Sequence, residues 1–159
     1  MPRGEKEFDV SRLTKVSTNS EARWAQLAIK DLRYTQDTCS DVFAKSSPHL
    51  ETPQERSIER LRQQLGGNPD EVLQTLGISP EVVCHGDMFV SVNNRRTYCI
   101  RNCTAPKETM IWVRLYATPG AFDRQYGPGA FERYYSTTNE GQHIHVTKHH
   151  HKGDGEGGS

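Results

Sequence analysis

The residues best suited to chemistry in this chain are Asn93, Asn94, Arg95 and Arg96, which stand where a short apolar run stops. In Met88-Phe89-Val90-Ser91-Val92, the residues Met88, Val90 and Val92 alternate with Phe89 and Ser91, the period of a strand. The stretch after Val92 reads as a helix with Asn93 as its cap, because an asparagine side-chain oxygen accepts an amide of the first turn. Arg95 and Arg96 then fall in that turn, beside the positive end of the helix dipole, where a cation is disfavoured by about 0.3–1 kcal/mol. An anion at this place would offset the cost, since first-turn amides and guanidinium forks both suit phosphate. Asn93, Asn94, Arg95 and Arg96 are therefore the candidate phosphate- or nucleotide-binding residues. The competing reading pairs both arginines with carboxylates elsewhere in the fold. Neither reading names a reaction, and no catalytic residue is assigned.

Other side chains could do other chemistry. Cys84 and His85, with Cys99 and Cys103, could supply four zinc ligands, although the close ligand pair of zinc sites is missing and small thiols are common in cores. His143 and His145 would share one face of a strand and could hold a transition metal. Solvated histidines are the simpler account, and no metal site is assigned. Cys39 follows Asp37 near an expected helical turn, where a thiolate is favoured, but no base stands at a recognisable spacing. Arg95, Arg96 and Arg101 with Tyr98 make a small basic-aromatic cluster of the kind that meets nucleic acid.

The elements that must position these residues can be read from local pattern. Structure is expected to begin near Trp24, Gln26 to Tyr34 reads as a first strand through Leu27, Ile29 and Leu32, and a helical turn is expected after Thr35-Gln36-Asp37. Val42 and Phe43 pack inward, and Ser46-Ser47-Pro48-His49 interrupts the pattern. Thr52-Pro53-Gln54-Glu55 has the form of a capped helix start, with Ile58, Leu61 and Leu65 as one apolar stripe and Gly66-Gly67 as the stop. Asn68-Pro69-Asp70-Glu71 repeats that start, with Val72, Leu73 and Leu76 inward and Gly77 at the end. Val82 to Val90 reads as a hairpin turning at Gly86. The arginine-bearing helix is expected to place Cys99 and Cys103 on one face and to end before Pro106. Thr109 to Tyr116, apolar on both faces over most of its length, has the character of a central strand. Phe122, Tyr126, Phe131, Tyr134 and Tyr135 lie in a glycine-punctuated segment read as packing against the sheet rather than as a lid. His143 to Val146 closes the order as a short strand.

Composition sets the bounds. The chain has 159 residues, and its 20 basic and 20 acidic side chains balance, so no overall charge draws it to nucleic acid or to a membrane. Hydrophobic residues make up 33% and mean hydropathy is -0.79, low enough that the ends are expected to stay out of the core. Residues 1–22 read as a disordered arm, 23–147 as one domain, and 148–159 as a disordered His- and Gly-rich tail. No apolar run approaches a membrane span, and the N-terminus lacks the apolar centre of a secretion signal. A soluble intracellular protein with reduced thiols is expected.

This order of elements, with two short motifs, resembles the domain shared by ParB-type chromosome-partition proteins and sulfiredoxins. One motif is Leu32-Arg33-Tyr34-Thr35-Gln36-Asp37. The other is Val92-Asn93-Asn94-Arg95-Arg96, similar to little-described ParB-like proteins with Asp-Asn-Arg-Arg-Leu at this place. The resemblance covers roughly Trp24 to Leu115. It implies an α+β fold, a small mixed sheet with several short helices around a ParB/sulfiredoxin-like core. It also implies a strand-to-helix junction that holds nucleotide phosphates, with a nucleotide as the candidate cofactor or ligand. Sulfiredoxins carry a reactive cysteine where this chain has Asn94, so sulfinic-acid repair is not implied. The helix-turn-helix domain of partition proteins has no counterpart here, so partitioning is not implied either. The expectation is a binder of a nucleotide or another phosphorylated ligand. Its alternative is a non-catalytic protein- or nucleic-acid-interaction module with a structural arginine pair. A phosphoryl-transfer enzyme is a third class, for which no carboxylate cluster is evident.

Overall fold

The computed structural model describes residues 21–41 and 57–148. The proposed arm up to residue 20, Val42 and Phe43, the Ser46–His49 break, the Thr52-Pro53-Gln54-Glu55 helix start and the tail from residue 149 lie outside them.

The first expected strand is two. Strand β1 runs Ala22–Ala28, a single helical turn occupies Ile29–Asp31, and β2 is Leu32–Tyr34. The break is anchored by Ile29 N–H donating to Thr109 O at 2.9 Å and Lys30 N–H to Lys107 O at 3.0 Å. The turn carries the chain from one edge of a sheet to the other. Strand β4 is Glu81–His85, β5 is Met88–Ser91 and β6 is Met110–Tyr116, and the five strands lie in the order β1-β6-β4-β5-β2. Laid flat, strands four spacings apart would be separated by about 19 Å, whereas the chain from Ala28 to Leu32 reaches at most about 14 Å. The sheet must therefore curl until its edges approach. Pairing is mixed: β1 with β6 and β4 with β5 are antiparallel, while β4 with β6 and β2 with β5 are parallel. The fold is α+β.

One face packs Leu27, Leu32, Val82, Ile111, Val113 and Leu115 against three short helices. Helix α1 spans Ile58–Leu65, with Ser57 as the cap that accepts from Arg60 N–H, and buries the Ile58, Leu61 and Leu65 stripe. Helix α2, Pro69–Leu76, has Pro69 in its first turn and ends on Gly77 at φ 70°. Leu73 is buried, but Leu76 is exposed, contrary to the expected inward stripe, because α2 lies at the rim of the core. Helix α3, Asn94–Arg101, contributes Cys99 and Ile100 and ends at Asn102, so Cys103 is buried beyond the helix rather than on its face.

The opposite face is covered by the aromatic segment, which folds as two helices. Helix α4, Pro119–Tyr126, is capped by the Thr118 hydroxyl accepting from Ala121 N–H, and α5 is Ala130–Tyr134. Phe122 and Phe131 are buried against Val83, Val90 and Tyr116. Packing is thus the role of those two rings, while Tyr126 and Tyr134 stay exposed.

The chain bends at Thr35–Asp37 and then, in place of the expected helical turn, forms β3, Thr38–Ser40, which pairs in parallel with β7, His145–Thr147. The segment from Ser136 onward straps this region. Tyr34 N–H donates to Gly141 O at 2.9 Å, Ser136 N–H to Thr35 O at 2.8 Å, and His145 N–H to Asp37 O at 2.8 Å. Thr138 donates through its amide and hydroxyl to the two Asp37 carboxylate oxygens at 2.8 and 2.7 Å, and these bonds hold that carboxyl below its usual pKa. No helix among the described residues is long and apolar enough to cross a membrane.

Candidate functional site

Strands β2 and β5 are parallel neighbours, so their carboxyl ends emerge side by side. Thr35 and Gln36 leave β2 there, and Val92 to Arg96 leave β5, forming a cleft of about 420 Å³. Its described lining is Gln36, Cys39, Ser40, Val92, Asn93, Asn94, Arg95, Arg96 and Tyr134, two arginines and no carboxylate.

All four residues named from the sequence border this cleft, but the two asparagines do different work from that expected. Asn93 holds the cap position, and its main-chain oxygen accepts from Thr97 N–H at 2.9 Å. Its side chain does not cap the helix. It turns to the start of β4, where Oδ1 accepts from Glu81 N–H at 2.7 Å. Asn94 is buried and reaches across to the other strand end. Its Oδ1 accepts from Thr35 N–H at 2.8 Å and Gln36 N–H at 3.3 Å, and its Nδ2 donates to Thr35 Oγ1 at 2.9 Å. The asparagine pair is thus the brace of the junction, and Arg95 and Arg96 line the cleft beside it.

Asn94→Ala should accordingly destabilise the protein. It leaves the buried Thr35 amide without its acceptor, and a buried polar group stripped of its partner costs about 1–3 kcal/mol. Urea unfolding is the measurement: the midpoint should fall by the equivalent of about 2–3 kcal/mol with an unchanged slope. A midpoint within error of the wild type would deny Asn94 this role.

The arginines differ from each other. Arg96 has a wholly buried Nε that finds no hydrogen-bond acceptor. Burial pulls its pKa down, and the nearby Glu81 charge pushes back up. Glu81 itself accepts the Tyr126 hydroxyl at 2.8 and 2.9 Å, and among the described residues no carboxylate forms an ion pair with Arg96. Arg95 is half-buried and its charge favours the Cys39 thiolate.

Comparison with known protein families, with curated proteins and with solved structures finds no match to this chain.

The remaining candidates fall apart in space. The pleat of β4 sends Cys84 to the three-helix face and His85 to the other, where its ring meets Tyr135 at 4.6 Å and Phe131 at 5.2 Å. Cys99 and Cys103 are buried on the three-helix side, and burial pushes the Cys99 thiol up to about 12. Among the described residues no three His, Cys, Asp or Glu side chains cluster as metal ligands would. His143 lies outside β7, so it does not share a strand face with His145. Cys39 sits in a strand instead of a helix start, and its burial raises the thiol pKa, which disfavours a nucleophile. Arg101 leaves the basic cluster: it donates to Leu32 O at 3.0 Å and lies 5.1 Å from the centre of the Tyr34 ring. The residues the sequence did not single out are Gln36, Ser40 and Tyr134. Gln36 was visible in the Thr35-Gln36 motif, whereas nothing local marks Tyr134.

Proposed function

We propose that the cleft at the β5–α3 junction binds a nucleotide or another phosphorylated ligand. The observation that carries this reading is the buried Arg96 Nε without an acceptor, in a cleft lined by a second arginine and no described carboxylate. A buried Nε–H without an acceptor costs free energy in the unliganded protein, and a phosphate would supply both the missing acceptor and the opposing charge. The first turn of α3, which the Asn93 side chain leaves uncapped, adds oriented amides and the positive dipole end. The resemblance to ParB-type proteins and sulfiredoxins points the same way. The two segments that carry it are tied to each other by the Asn94 hydrogen bonds, which gives the motif a structural reason.

An interaction module with a structural arginine pair is the alternative, and the absence of any ion pair to Arg96 among the described residues weighs against it. The test is a thermal-shift titration with inorganic pyrophosphate and with nucleotides at constant ionic strength. Saturable stabilisation by phosphate-bearing compounds, not reproduced by chloride, is expected. A melting temperature indifferent to all of them would overturn the reading.

A further inference from the structure

The cleft is larger than a phosphate alone requires. Its volume of about 420 Å³ is within the range of sites that enclose whole small molecules. The rest of such a ligand would meet Tyr134. This ring is the last residue of α5 and shares the cleft with Arg95 and Arg96. It is 41% exposed, although Phe122 and Phe131 of the same aromatic group are buried. Phe122 meets it edge to face, with centroids 5.8 Å apart and planes at 85°. Among the described residues no second ring stacks on Tyr134. The backbone on either side is held: Arg133 N–H donates to Gly129 O at 3.2 Å, Tyr135 N–H to Phe131 O at 2.9 Å and Ser136 N–H to Thr35 O at 2.8 Å. The residue is therefore set in position by its neighbours, and it stands partly exposed in the lining of the cleft.

We infer that Tyr134 is the specificity-determining residue of this cleft, selecting ligands that carry a planar ring beside the phosphate by stacking that ring on its own. The inference rests on the anion site proposed above and adds the recognition of the organic part. Stacking favours every aromatic heterocycle because each has a π-face, so the selection is for a planar ring as such and not for one base over another. The hydroxyl of Tyr134 is not needed for it.

Calorimetric titrations of the full chain with ribose 5-phosphate and with adenosine and cytidine monophosphates test the inference. On the wild type, both nucleotides should bind about tenfold to a hundredfold more tightly than ribose 5-phosphate, the gain from one base–aromatic stack. Tyr134→Ala should remove that difference and leave ribose 5-phosphate binding unchanged, and Tyr134→Phe should retain it. Because the side chain is partly exposed, both variants should remain folded, with Tyr134→Phe melting near the wild type and Tyr134→Ala somewhat earlier through the lost Phe122 contact. Nucleotides binding no better than ribose 5-phosphate on the wild type would overturn the platform while leaving the anion site standing. So would a Tyr134→Ala variant that weakens all three ligands equally. If none of the three binds and Arg96→Ala changes nothing, the anion site itself fails and takes the platform with it.

Discussion

Arg96→Ala is expected to abolish the thermal stabilisation that pyrophosphate confers, while the unliganded variant melts close to the wild type. At a ligand concentration one hundred times Kd, mass action stabilises the native state by about 2.7 kcal/mol, a shift of about 5–11 °C for a chain of this size. The variant should lose most of that shift, because it lacks the guanidinium whose Nε is buried without an acceptor. Its free stability should hardly fall, since the side chain removed has a buried Nε without an acceptor and no ion-pair partner among the described residues. The structural alternative predicts the reverse, a loss of about 3–5 kcal/mol in the free protein from breaking a buried pair. Arg96→Lys should fall between, keeping the charge and losing the forked donors. No pyrophosphate shift in the wild type, together with an Arg96→Ala variant that melts far earlier, would leave only a structural arginine.

Gly141→Ala should be the most destabilising single-methyl change in the strap. Gly141 has φ 73°, where a Cβ is disfavoured, and a Cβ built there would stand 2.2 Å from Tyr34 O and 2.8 Å from Tyr34 N. Those atoms are backbone and cannot swing aside. Backbone strain of about 1–2 kcal/mol and overpacking of about 1–3 kcal/mol together suggest a loss of roughly 2–5 kcal/mol. Gly86 is the internal control, with φ 64° but nothing within 4 Å of an added Cβ. Gly86→Ala should therefore show the strain alone, about 1–2 kcal/mol. Urea unfolding of both variants separates the two terms. Equal losses would mean that the strap does not press on β2 as closely as the structure has it. The effect should also reach the cleft, because the strap holds the stretch from Thr35 to Asp37 through Ser136 and Thr138. Pyrophosphate affinity should fall in Gly141→Ala and not in Gly86→Ala.

Local patterning determined a good part of this architecture. The period-two runs at Met88–Val92 and Thr109–Tyr116 are set by neighbouring residues, and they became β5 and β6, the latter an interior strand flanked by β1 and β4. Gly66 and Gly77 stop helices because glycine tolerates φ of 50° and 70°, and Pro69 starts one because its ring presets φ. The cap position of Asn93 and the placing of Arg95 and Arg96 in a first turn were legible for the same reason. Tertiary structure decided the rest. Leu27, Ile29 and Leu32 keep near-strand spacing straight through the break between β1 and β2, which exists because Thr109 and Lys107 take the amides of Ile29 and Lys30. The side chain of Asn93 had a free helix end within reach and bonded to Glu81 instead, and that of Asn94 went to a strand end 59 positions away. Tyr134 entered the cleft because the chain after α5 is pinned to Thr35, a contact that no pattern around Tyr134 encodes. Periodicity and capping are properties of a few consecutive residues, whereas a hydrogen-bond partner or an empty acceptor position depends on which distant segments the core brings together.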